Sequence, residues 1–158
     1  MSTKIRLYWR TGLDRRHLAS GVHVRIIRLY VPVSFSEPTG WSRPYDAVID
    51  TGSPLTVIPK NVWQTIQIVQ HLSDLVPLGG VGKGVLWARL AKIELALLGT
   101  RKEMVQLAIK AYLAEDDTVP LLLGVEDLLT NARLVCDYSQ RKAFLQATPV
   151  ELRPYRVA

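Results

Sequence analysis

An aspartate that ends an apolar run is the residue in this sequence best placed to do chemistry. In Ala47-Val48-Ile49-Asp50-Thr51-Gly52-Ser53 a carboxylate follows directly on residues of core type, where an unpaired charge is costly. The residues behind it offer a remedy. A tight turn through Gly52 aims backbone N–H groups and hydroxyls at the carboxylate and favours its ionised form. The same four residues also make an ordinary surface turn or helix N-cap, so the surrounding elements decide between the two.

Those elements are mostly strands. Residues 45–49 form a short apolar strand running into Asp50, and a second follows at residues 55–58. Val105, Leu107, Ile109, Ala111 and Leu113 alternate with Gln106, Ala108, Lys110 and Tyr112, the period of a half-buried strand. Residues 85–98 form another strand, and residues 133–138 and 143–146 pair as a hairpin around Ser139-Gln140-Arg141. Between residues 22 and 35 the apolar positions change parity at Ile26–Ile27, which predicts a bulge or a strand buried on both faces. Pro32 predicts an edge or a bend. Pro59 precedes a predicted helix over residues 60–69, and a short C-terminal helix is predicted over residues 125–131. Many short strands, few helices and frequent turn residues give a mostly-β, barrel-like domain.

Two further motifs accompany the Asp50 turn. About thirty residues later comes the glycine-rich loop Leu78-Gly79-Gly80-Val81-Gly82, at the head of a strand. Later still, Pro120-Leu121-Leu122-Leu123-Gly124 precedes Asp127-Leu128-Leu129. This order resembles the retropepsin-like aspartic proteases, with an apolar-apolar-Asp-Thr-Gly turn, a glycine-rich flap and an apolar-apolar-Gly motif opening the C-terminal helix. The resemblance spans residues 22–145 and implies a closed β-barrel of the acid protease type. It implies Asp50 as catalytic carboxylate, Thr51 as a hydrogen-bonding brace across a dimer axis, and Gly52 as the place where substrate backbone approaches. Ser53 would donate its hydroxyl to Asp50 and sit beside the substrate. Gly79, Gly80 and Gly82 would cover the substrate, and Leu122, Leu123 and Gly124 would wall a subsite and support the turn.

Chemistry of this type uses two carboxylates about 3 Å apart sharing one proton. The chain has one Asp-Thr-Gly triplet and no internal repeat, so an active enzyme of this type is a homodimer whose two Asp50 residues meet on the two-fold axis. An acidic pH optimum follows. The leucine-rich wall suggests peptide substrates cut between apolar residues. The sequence departs from the retroviral pattern at Val125, where an arginine is usual, and at Ser53-Pro54-Leu55, which lacks the acid that pairs with it. Candidate strands for a dimer sheet are residues 5–9 and 150–152. A non-catalytic peptide- or protein-binding module, monomeric or weakly dimerising, is the alternative reading.

Composition sets the outer bounds. At 158 residues the chain suits one core, and 48% hydrophobic with 22% charged residues excludes disorder. A single cysteine, Cys136, excludes an internal disulfide, and scattered His17, His23 and His71 give no zinc-hydrolase spacing, so no metal or cofactor is expected. Gly79-Gly80-Val81-Gly82-Lys83-Gly84 lacks the ending of a phosphate loop. Residues 1–43 carry eight Lys or Arg against two acids, and the remainder balances twelve against twelve. No nucleic-acid-binding motif accompanies this basic arm, so neither nucleic acid nor membrane is an expected partner. The opening residues show no apolar signal core, and a cytoplasmic protein is expected. The expected organisation is a polar extension at 1–20, the protease-like domain at 21–148 and a tail at 149–158.

Overall fold

Period-two alternation dominates the chain, and the computed structural model, which describes residues 2–79 and 84–148, is accordingly mostly strand. In chain order the strands are β1 (Thr3–Arg6), β2 (Tyr8–Asp14), β3 (Val24–Glu37), β4 (Gly40–Trp41), β5 (Tyr45–Ile49) and β6 (Thr56–Ile58), then β7 (Ile68–Leu78), β8 (Leu86–Leu98), β9 (Met104–Ala114), β10 (Leu122–Leu123), β11 (Ala132–Asp137) and β12 (Lys142–Ala147). Helical structure is confined, among the described residues, to α1 (Lys60–Trp63) and 3₁₀ turns at Arg15–Ser20 and Leu129–Asn131. None of these helices is long and apolar enough to cross a membrane.

The larger sheet runs β2-β3-β5-β10-β6-β9-β8-β7, with β4 on β3. β3 also pairs with β8, Val33 opposite Leu97 and Phe35 opposite Leu95, so the sheet curls back on itself while β2 and β7 remain edges. The expected closed barrel is therefore matched only in its coarser part, a strongly curved and mostly-β architecture. Alternate residues of β3, β8 and β9 fill the interior: Val31, Val33, Phe35, Ile93, Leu95, Leu107 and Ile109 are all buried. Each such burial contributes roughly 1.5–3 kcal/mol relative to exposure.

Several local expectations change on folding. The β2–β3 register is unbroken from Tyr8↔Tyr30 to Asp14↔Val24, so no bulge lies at Ile26–Ile27. Both isoleucines are half-buried because this stretch of β3 pairs with β2 alone, as a two-stranded ribbon. Pro32 sits in β3 between Tyr30, where β2 leaves off, and Val33, where β8 takes over. The helix predicted over 60–69 stops at Trp63, because the Gln67 N–H donates to the Ser36 carbonyl at 2.8 Å and the chain then enters β7. The helix predicted over 125–131 is a turn followed by a single 3₁₀ turn. Its opening N–H groups are given away, Val125 to the Ser53 carbonyl and Glu126 to the Pro54 carbonyl, both at 2.9 Å, and Asp127 adopts a left-handed φ of 63°. The residues read as a polar extension hold β1, β2 and a 3₁₀ turn, while 149–158 lie outside the described residues.

The centre of the architecture is the two-residue strand β10. It lies between β5 and β6, parallel to the first (Leu122↔Val48, Leu123↔Ile49) and antiparallel to the second (Leu122↔Val57). Val48 N–H donates to Leu121 O at 2.9 Å and Asp50 N–H to Leu123 O at 3.0 Å, which fixes the end of β5. At Gly124 the chain passes so close to the connection between β5 and β6 that a Cβ would lie 2.4 Å from the Leu55 backbone and 2.7 Å from Ser53 O. Only a residue without a side chain fits, and the buried Gly124 N–H is satisfied by the Thr56 hydroxyl at 3.1 Å.

Two substitutions test this crossing. Gly124→Ala meets backbone atoms that have no side chain to rotate away, and it is expected to cost at least about 3 kcal/mol, the upper range of overpacking penalties. Thr56→Val keeps the volume but leaves the Gly124 N–H without an acceptor. It is expected to cost about 1–3 kcal/mol, and Thr56→Ser to recover most of that. Urea denaturation midpoints measure both.

Candidate active site

β5 delivers Asp50 to the end of the sheet, and the turn that follows is shaped by its neighbours. Gly52 N–H donates to Asp50 Oδ1 at 2.9 Å, and Ser53 N–H to the Asp50 carbonyl at 3.2 Å. The Gly52 N–H is thus a backbone donor held against the carboxylate. The Ser53 hydroxyl is not: it donates to Leu55 O at 2.6 Å and closes the turn instead. The expected Ser53–Asp50 hydrogen bond is therefore replaced by one from the Gly52 backbone. Asp50 Oδ2 has no hydrogen-bond partner among the described residues, and Asp50 is only half-buried. The turn thus presents a carboxylate with one oxygen held and the other open.

Asp50 lines ligand-sized space. A cleft of about 710 Å³ is lined by Asp50, Thr51, Gly52 and Ser53 together with Gly79 and Leu122, residues singled out from three separate stretches of sequence. Leu123 is fully buried and Gly124 lies under the turn, so neither lines the cleft; they support it from beneath. Gly80 and Gly82 lie outside the described residues. Thr51 is exposed, and no hydrogen bond engages its side chain among the described residues.

The opposite wall escaped the sequence. Arg28 and Tyr30 from β3, Leu134 from β11 and Tyr138 just beyond it line the same cleft. Tyr138 stands edge-on to Trp9, their ring centroids 5.2 Å apart, and joins the small sheet β1-β12-β11 to the cleft wall. No motif marks these positions. The signal that locates them is strand register, Tyr30 opposite Val48, which single-chain periodicity does not specify.

Charge in the cleft is sparse. Among its described lining residues Asp50 is the one carboxylate and Arg28 the one Lys or Arg side chain. Asp127, a further acid near a motif, is engaged elsewhere: its Oδ2 accepts the Lys110 N–H at 2.8 Å and lies 3.3 Å from Lys110 Nζ. One protomer therefore provides one acid at this site, and no group of three or more His, Cys, Asp or Glu suited to a metal occurs among the described residues. The β1 strand, read as material for a dimer sheet, pairs with β12 of its own chain (Ile5↔Leu145), while residues 150–152 lie outside the described residues.

No family model matches the sequence, and no curated protein matches it. Among solved structures the chain is similar to the crystal structure of a retropepsin-like aspartic protease from Rickettsia conorii, at 12% identity and a TM-score of 0.44, over 93% of this chain and 96% of that one.

Proposed function

We propose that the chain is an aspartic endopeptidase of the retropepsin type, active as a homodimer in which two Asp50 carboxylates meet. The observation that carries this reading is the single Asp50 carboxylate, half-buried at the mouth of a cleft of about 710 Å³, with one oxygen held by the Gly52 N–H and the other open. A one-acid site of this kind is half of the pair that this type of peptide hydrolysis needs, and in this reading the exposed Thr51 beside it braces a twin turn.

In this reading the two carboxylates share one proton, since like charges at about 3 Å do not both ionise. The ionised member removes a proton from a water molecule lying between them as the water oxygen bonds to the scissile carbonyl carbon. The protonated member gives its proton to the carbonyl oxygen. Collapse of the tetrahedral intermediate breaks the C–N bond: the carboxyl that took the water's proton gives it to the departing amine, and a hydroxyl proton of the intermediate returns to the other carboxylate and restores the shared proton. Activity falls at low pH when both acids are protonated and falls again as pH rises and the shared proton leaves, so the profile is a bell on the acidic side.

The pairing of β1 with its own β12 favours a second reading, a non-catalytic peptide-binding module that uses the same cleft as a monomer. Sedimentation at micromolar concentration, combined with peptide cleavage between pH 3 and 7, separates the two. The peptidase is expected to dimerise, to cut with an acidic maximum, and to lose about 10⁴-fold or more of its turnover in Asp50→Asn with the dimer retained. A strict monomer without cleavage supports the binding module, and cleavage that survives Asp50→Asn overturns the assignment of Asp50.

A further inference from the structure

We propose that Arg28 makes this cleft select peptides with an acidic residue close to the bond that is cut. The inference rests on the peptidase reading for the nature of the ligand and on the lining of the cleft for the position of the charge.

The last β3–β5 pair on the site side is Tyr30↔Val48. Beyond that pair β3 is bonded to β2 alone, with Arg28 two residues before Tyr30 and Asp50 two residues after Val48. Arg28 and Tyr30, two residues apart on β3, share a face of that strand, and Arg28, Tyr30, Val48 and Asp50 all line the cleft. Arg28 is exposed and forms no ion pair among the described residues. The residues after Asp50, Thr51-Gly52-Ser53-Pro54-Leu55, contribute no carboxylate to neutralise it.

Its other neighbour sharpens the point. Across β2 and β3, Arg10 lies directly opposite Arg28, an arrangement that repels unless one charge is compensated. Arg10 is compensated: it pairs with Asp46 of β5, and its guanidinium lies over the Tyr30 ring, 4.2 Å from the centroid. Asp46 and Val48 share one face of β5, so an arginine on this face already holds a carboxylate four residues before Asp50. Arg28 is the second arginine of the pair with its charge left over. In a dimer the two Asp50 groups sharing a proton carry one negative charge, while two Arg28 side chains carry two positive ones, leaving the joined cleft net positive. A planar guanidinium binds a carboxylate through two parallel hydrogen bonds and does so better than an amide.

The test uses the full chain and two pools of fluorescein-labelled decapeptides, degenerate except for one fixed position that holds Glu in one pool and Gln in the other. Cleavage sites mapped by mass spectrometry are expected to place the fixed Glu at one constant subsite within three residues of the cut. The Glu pool is expected to be favoured by about 10-fold or more in kcat/KM. Arg28→Ala is expected to bring the Glu-to-Gln ratio to about 1, and Arg28→Glu to invert it in favour of Gln. The preference is also expected to fade as pH falls below about 4.3, where free Glu side chains become neutral. Anisotropy of the same pools on Asp50→Asn protein reads the preference without turnover. Equal treatment of Glu and Gln, or a preference that survives Arg28→Ala, overturns the role of Arg28. Binding preference without cleavage by the unmodified chain overturns the peptidase reading and upholds Arg28; no binding of either pool overturns both.

Discussion

Everything at the site depends on one close crossing of backbones. The β10 strand is two residues long, too short to be stable alone, yet it hydrogen-bonds to β5 on one side and β6 on the other. Its last carbonyl receives the Asp50 N–H, its following glycine rests against Leu55 and Ser53, and the next two N–H groups close on Ser53 and Pro54. The Asp50 turn is thus clamped from below by main-chain atoms on consecutive residues. Main-chain clamping spends no side-chain entropy and has no rotamers to lose, which suits a turn that must hold a carboxylate at a fixed angle.

That clamp explains how a charged group is tolerated at the end of a core strand. The cost of placing a carboxylate beside buried leucines is offset by a backbone N–H on one oxygen and by partial exposure of the other. The hydroxyls that flank Asp50 are used differently from one another. Ser53 serves the turn, Thr56 serves the glycine beneath it, and Thr51 alone points no hydrogen bond into its own protomer among the described residues.

Much of this was legible in the residues. The strand before Asp50, the turn, the alternating β9 and the apolar-Gly motif are all local patterns, and each reappears as an element in the described structure. What failed did so where distant chain intervened. Residues 64–69 carry no helix breaker, yet the Ser36 carbonyl takes the Gln67 N–H and ends α1. Residues 125–131 read as a helix start, but their N–H groups are drawn to the turn at Ser53 and Pro54. The far wall of the cleft, Arg28, Tyr30 and Tyr138, is set by cross-strand register and by sheet-to-sheet packing, and neither leaves a trace in the periodicity of a single segment.

The small sheet has a kinetic consequence. With β1 hydrogen-bonded along its length to β12 of the same chain, from Thr3↔Ala147 to Arg6↔Phe144, one copy completes this small sheet, as far as the described residues go, with strands of its own. In the dimer we propose, β1 would then meet its twin already paired rather than as a loose segment to be exchanged. Refolding rates of the monomer should be indifferent to dilution, and only the later meeting step should follow mass action.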